Sequence, residues 1–226
     1  MDFLDQFFFY DLTRLPFFIL TILIAFTVHE FAHAYFANKF GDPTAKMLGR
    51  MTLNPAVHFD FFGLLLLVIA GFGWARPIPV NRDNFEKRRM MSVVVSAAGP
   101  ISNLLLAVLG TIFYALFVQF GFMESIENKG IVFAISTFFS IFNVTNFFLF
   151  FFNLVPLPPL DGYRILEELV SPSARMSLQK LEQWSMLIFL ILVITPLSRY
   201  TITPLYELAT SWYVGIAQMI MSLFAG

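Results

Sequence analysis

His29 and His33 stand four residues apart in the run TVHEFAHAYF, with Glu30 directly after the first. On a helix that spacing puts both imidazoles on one face, about 40° apart and one turn above the other. Two ring nitrogens so placed can share a metal about 2 Å away. Glu30 suits a water at that metal rather than the metal itself. It would act as general base, with zinc bringing the water's pKa towards neutrality. One intramembrane histidine alone is most simply a satisfied packing residue. The full H-E-x-x-H at bilayer depth reads as functional, because ionisable groups are costly there.

A catalytic zinc usually takes three protein ligands and keeps one position open. The extended pattern H-E-x-x-H-x-x-G-x-x-H fails here, since Phe36 stands where the glycine should be. Two candidates remain for the third ligand: His58 in LNPAVHFD and Asp161 in NLVPLPPLDGYR. His58 has no helical register to the pair. Asp161 is the favoured ligand, although a stretch of this kind alone would make it a helix cap. Pro156, Pro158 and Pro159 unwind the chain ahead of it, and Gly162 is expected to permit a tight turn. Asn153, eight residues earlier, could hold a scissile carbonyl or its oxyanion, or simply join two helices. Asn143 and Asn146 share its face. Asn103, Gly99 and Pro100 read as helix packing and a kink.

The elements that must carry these residues are membrane helices. Of 226 residues 58% are hydrophobic and 13% charged, with thirty phenylalanines and no cysteine. The net charge of −1 leaves no basic surface for nucleic acid, and no thiol can serve as nucleophile. The acidic start MDFLDQ has the wrong sign for a secretory signal and is expected to be retained. Five stretches approach the roughly 20 apolar residues of a span: 13–38, 91–120, 131–156, 184–198 and 202–224. The run FFGLLLLVIAGFG at 61–73 is too short and reads as re-entrant, tolerable only against protein or a cavity.

Lys39, Lys46, Arg50 and the Arg76–Arg89 cluster put 39–90 in the cytoplasm, with the acidic loop 121–130 outside. His33 and Asp161 then share the cytoplasmic side, as a common metal demands. GWARPIPVN, with two prolines, suits an edge strand or short cytoplasmic β-hairpin over 71–81 that would hold an unwound peptide extended. Phe7 to Tyr10 are candidates for an interfacial segment or lid. The expectation is an all-α integral membrane protein of five to six transmembrane helices with a re-entrant segment. It forms one membrane-embedded domain over 1–226, with a catalytic core at about 13–165 and C-terminal helices at 184–224.

The chain resembles the site-2 protease family of intramembrane zinc metalloproteases. The likeness rests on His29-Glu30-Phe31-Ala32-His33 and on Asn153 through Pro156 to Asp161-Gly162, with AAGPISN at 97–103 similar to a further family element. It is nearest to the compact bacterial and archaeal subgroup, since no loop could hold a PDZ domain. Phe61 stands where a proline often follows the H-x-D of that subgroup. The resemblance implies one Zn2+ per chain on His29, His33 and Asp161, with Glu30 as base. It implies cleavage of a single-span transmembrane protein within or near the bilayer, in the plasma membrane of a bacterium or archaeon. Two other readings compete. A proton or metal transporter or channel would be expected to show internal repeats, and none is visible. A catalytically inactive, protease-like binding protein would have little reason to keep Glu30 beside three ligands.

Overall fold

The computed structural model describes residues 11–70 and 73–224, all of its regular elements helical. Phe7 to Tyr10 lie outside the described residues. Helix α1, Leu15–Lys39, opens on Pro16, whose fixed φ suits a first turn. Phe18, Ile22, Ala25, His29, His33 and Ala37 recur at three- and four-residue steps and are buried along one face. Helix α4, Arg88–Gln119, answers with Val95, Gly99, Asn103, Ala107, Thr111 and Ala115, each four residues from the last. Small side chains on both faces let the two backbones approach closely, which is how helices associate where lipid supplies no hydrophobic drive. Helix α5, Lys129–Asn153, packs on α4 and is capped by the Asn128 side chain accepting from Gly130 and Ile131 N–H.

Among the described residues three helices, α1, α4 and α5, are long and apolar enough to cross a membrane. The stretch expected as one span over 184–198 is shorter: α8, Ser185–Ile194, meets α7, Pro172–Glu182, at a bend of 66°, and only together could they cross. Helix α9, Ser198–Leu223, has the length of a span but is less apolar than those three. Three or four spans are therefore supported.

Helix α3, Phe61–Ala70, is about 15 Å long by its residue count, half the hydrocarbon thickness. The chain beyond it returns along it. A Cβ on Gly63 would meet the Trp74 carbonyl at 2.2 Å, and one on Gly73 the Gly63 carbonyl at 2.0 Å. At its base Phe59 and Ala75 form a single antiparallel bridge, with Arg76 N–H donating to the His58 carbonyl at 2.8 Å. Leu67 of α3 is buried with Phe18, Ile22 and Ile141, so this hairpin leans on α1 and α5. The edge strand expected over 71–81 is not formed as a strand among the described residues. From 73 to 81 the chain lacks ladder partners beyond Ala75, and Pro77 and Pro79 remove the N–H groups of one edge.

One buried carboxylate ties the turn after α1 to the segment before α4, beside the apolar cluster of Ala37, Phe85 and Val95. A short helix α2, Thr44–Met47, follows the turn at Gly41, whose φ of +101° requires glycine. Asp42 there has no exposed surface. It accepts from Thr44 N–H and hydroxyl, from Asn81 N–H at 2.7 Å and from Asn84 Nδ2 at 2.8 Å. Burial opposes its ionisation, but these hydrogen bonds outweigh that and hold the carboxyl below the ordinary aspartate value. A depressed folded-state pKa contributes stability above the unfolded value of about 4, and that contribution is lost as pH falls through the folded value. Asp42→Asn should cost on the order of 2 kcal/mol near neutrality, because its amide then faces the Asn81 N–H donor to donor. In thermal unfolding followed in detergent, the gap between wild type and variant should be full at pH 6 and narrow below pH 4.

Candidate metal centre

The α1 face carries His29, Glu30 and His33 into the interior, each less than a tenth exposed. Asn153 ends α5, and Pro156, Pro158 and Pro159 separate it from α6, Asp161–Leu169. Asp161 thus sits in the first turn of a helix, where the dipole favours a carboxylate. Gly162 does not make the tight turn expected of it. Its place is a close approach instead, since a Cβ there would meet the Leu154 carbonyl oxygen at 2.2 Å.

The three groups converge. His29 Nε2 and His33 Nε2 are 3.0 Å apart, Asp161 Oδ2 is 3.1 Å from the first, and Asp161 Oδ1 is 3.3 Å from the second. The other ring nitrogens fix what these atoms are. His29 Nδ1 faces Asn103 Oδ1 at 2.7 Å, while Asn103 Nδ2 donates to Ala25 O and to Asn146 Oδ1. His33 Nδ1 faces the Val95 carbonyl at 2.7 Å. Each Nδ1 must therefore carry the proton, leaving Nε2 as a lone pair in the neutral ring. Two lone pairs and a carboxylate oxygen then point at one another, which is favourable only with a cation between them. Ligands at about 2 Å around a tetrahedral zinc lie roughly 3.3 Å apart, so the donor set and its spacing fit that ion. His58 is elsewhere: fully buried, its Nε2 bonded to the Thr52 carbonyl at 2.8 Å. Among the described residues only His29, His33 and Asp161 form such a group.

Sequence reasoning undervalued what holds the imidazoles. Val95, Gly99 and Asn103 occupy successive turns of one α4 face: a carbonyl for His33, space for both rings, and an amide for His29. The four-residue step in VSAAGPISN was the available signal. Ile78 was also missed. Its N–H donates to Glu30 Oε2 at 2.9 Å, so the extended segment from 73 to 81 lies across the site. A cavity of about 760 Å3 joins Glu30, the metal group, Trp74, Ile78, Asn153 and Phe189. Asn153 lines it with Nδ2 donating to the Leu149 carbonyl at 3.0 Å, which leaves its second amide hydrogen free.

Beyond the cavity a charged cluster ties the crossing segment to α6. Arg82 Nη1 lies 3.0 Å from Glu167 and 2.8 Å from Glu168, both carboxylates buried, and Arg175 pairs with Glu168 at 3.0 Å. Burial works against ionised Glu167, but Arg82, Gln179 and Arg175 outweigh it and keep its carboxyl below the ordinary value.

The model of peptidase family M50 matches residues 17–196. A Bacillus subtilis (strain 168) protein named "Putative zinc metalloprotease YwhC" is 49% identical over 202 residues, covering 89% of this chain and 91% of its own length. A Mycolicibacterium smegmatis protein named "Putative zinc metalloprotease Rip2" is 35% identical over 187 residues, 79% of this chain and 68% of its own. The Mycobacterium tuberculosis (strain H37Rv) protein of that name is 28% identical over 205 residues, 89% and 71%. No solved structure matches the chain.

A methyl group at residue 99 would lie 2.3 Å from His33 Nε2 and 2.5 Å from His29 Nε2. Gly99→Ala should therefore push the rings apart. Elemental analysis of the purified protein should find zinc falling from one per chain to a small fraction, with the helical circular dichroism unchanged.

Proposed function

We propose how this site works from one premise: the chain belongs to peptidase family M50 and is an intramembrane zinc metalloprotease. His29, His33 and Asp161 hold the metal, a reading carried by the convergence of two imidazole nitrogens 3.0 Å apart with the two oxygens of one carboxylate, each 3.1 to 3.3 Å from a ring nitrogen. When bound, zinc supplies Lewis acidity that brings a water's pKa towards neutrality. Glu30, its Oε2 engaged by Ile78, uses Oε1 to take the proton as water oxygen bonds to the scissile carbonyl carbon. The same oxygen then delivers that proton to the amide nitrogen as the C–N bond breaks. The spare amide hydrogen of Asn153 steadies the carbonyl oxygen while it gains charge. Asn103 keeps His29 in the tautomer that binds metal.

The substrate is a single-span membrane protein, unwound where it enters the cavity beside residues 73–81. The length of α3 and the Phe59–Ala75 base of its hairpin support a re-entrant segment. With α9 and the bent α7–α8 pair crossing as well, the chain makes five helical passes around that segment. It forms one domain over 1–226 with its catalytic core at about 13–165. Lys39 at the end of α1, with Lys46 and Arg50 beyond it, supports a cytoplasmic-side active site in the plasma membrane of a bacterium. Transport is not favoured in a peptidase family.

Two variants separate binding from chemistry. Asp161→Ala should lose most of its zinc. Glu30→Gln should keep one zinc per chain yet cleave model single-span substrates about 100- to 10,000-fold more slowly, the span usual for a missing general base. Cleavage by Glu30→Gln at the wild-type rate would overturn the role given to Glu30.

A further inference from the structure

A second cavity, of about 600 Å3, opens beside the crossing segment and is lined by Leu48, Arg50, Ala56, Val57, Arg76 and Pro77 among others. Its chemistry is unlike the first. Arg50 is 9% exposed, and among the described residues only its Nη2 finds an acceptor, the Arg76 carbonyl at 2.6 Å. Its Nε is buried without a partner. Arg76 forms the facing wall, its own side chain exposed. Neither arginine has a carboxylate within ion-pair distance among the described residues, and no acidic residue lines the cavity. Burial, and after it the neighbouring Arg76, hold Arg50 below the ordinary arginine value, with Glu30 opposing. A guanidinium stays protonated regardless. Two cations of like sign line one space, one of them on a largely buried side chain short of acceptors. An anion between them would relieve the like charge and supply the missing acceptors.

Shape and rim indicate which anion. Guanidinium forks match the oxygen geometry of phosphate. Apolar residues accompany the arginines: Leu48, 63% exposed, lines the cavity, and Met47, Leu53, Phe61 and Phe62, close in sequence to its lining residues, are also largely uncovered. An acyl chain would lie against these residues while its phosphate reached the arginines. We propose that Arg50 and Arg76 form a binding site for the phosphate of an anionic phospholipid headgroup, set beside the active-site cavity with Pro77 lining both.

The test uses the full chain, delipidated in a neutral detergent and titrated calorimetrically with dihexanoyl-phosphatidylglycerol or, separately, with inorganic phosphate. Saturable binding of one lipid per chain, weakened at least tenfold in Arg50→Gln and tenfold or more weaker for phosphate alone, is the expected result. Equal affinity for phosphate and lipid would overturn the headgroup as source while leaving the anion site. No saturable binding of either, or undiminished binding by Arg50→Gln, would overturn the site itself. Should Arg50→Gln fail to fold, Ala56→Glu at the exposed rim sets a carboxylate against the arginines and carries the same expectation. Zinc content should not change in either variant, which keeps this result separate from the reading of the metal centre.

Discussion

Two imidazole lone pairs 3.0 Å apart, each facing one oxygen of the Asp161 carboxylate at 3.1 and 3.3 Å, repel unless a cation joins them. Most of the architecture exists to impose that arrangement against its own repulsion. The rings cannot turn away, because Asn103 and the Val95 carbonyl hold their far nitrogens. They cannot be crowded out, because α4 offers a glycine where they lie. The carboxylate cannot retreat, because three prolines end the α5 rise and Gly162 seats the next helix against the Leu154 carbonyl. Polar groups this costly to bury in a bilayer are kept only where every neighbour helps to satisfy them.

Asp161 and the 73–81 segment approach the site from separate parts of the chain, and one ionic cluster joins them. Arg82 leaves the end of the crossing segment and meets Glu167 and Glu168, six and seven residues beyond Asp161 on the same short helix. Burying two adjacent carboxylates is tolerable because Arg82, Arg175 and Gln179 share them. A displacement of the crossing segment is therefore felt at α6, and the reverse.

What the sequence disclosed was chiefly what periodicity and chemistry make local. His29, Glu30 and His33 declare themselves because ionisable residues interrupt an apolar run, and Asp161 because prolines stop a helix just before it. The three long helices α1, α4 and α5 were legible for the same reason. The supports were not. Asn103 and Gly99 look like any small or polar residue of a packed membrane helix until the partner ring is known. Arg82 counts in sequence as one topology marker of the Arg76–Arg89 cluster, whereas in space it meets Glu167 and Glu168, with Arg175 on Glu168 and Arg164 on Glu182 beside it. Alternation over 71–81 suggested a strand, yet a strand needs a neighbour, and only Ala75 has one among the described residues.

On the Ile78 side the tie to the Glu30 carboxylate is made by the main chain alone. Every residue except proline presents the same N–H, so selection on that bond leaves the side chain at 78 free to drift. Between Pro77 and Pro79 the one position whose amide is in use is also the one where a third proline would be intolerable. A comparison of related chains would find variability at 78 bounded by a single forbidden letter, the trace of a contact that substitution patterns otherwise conceal.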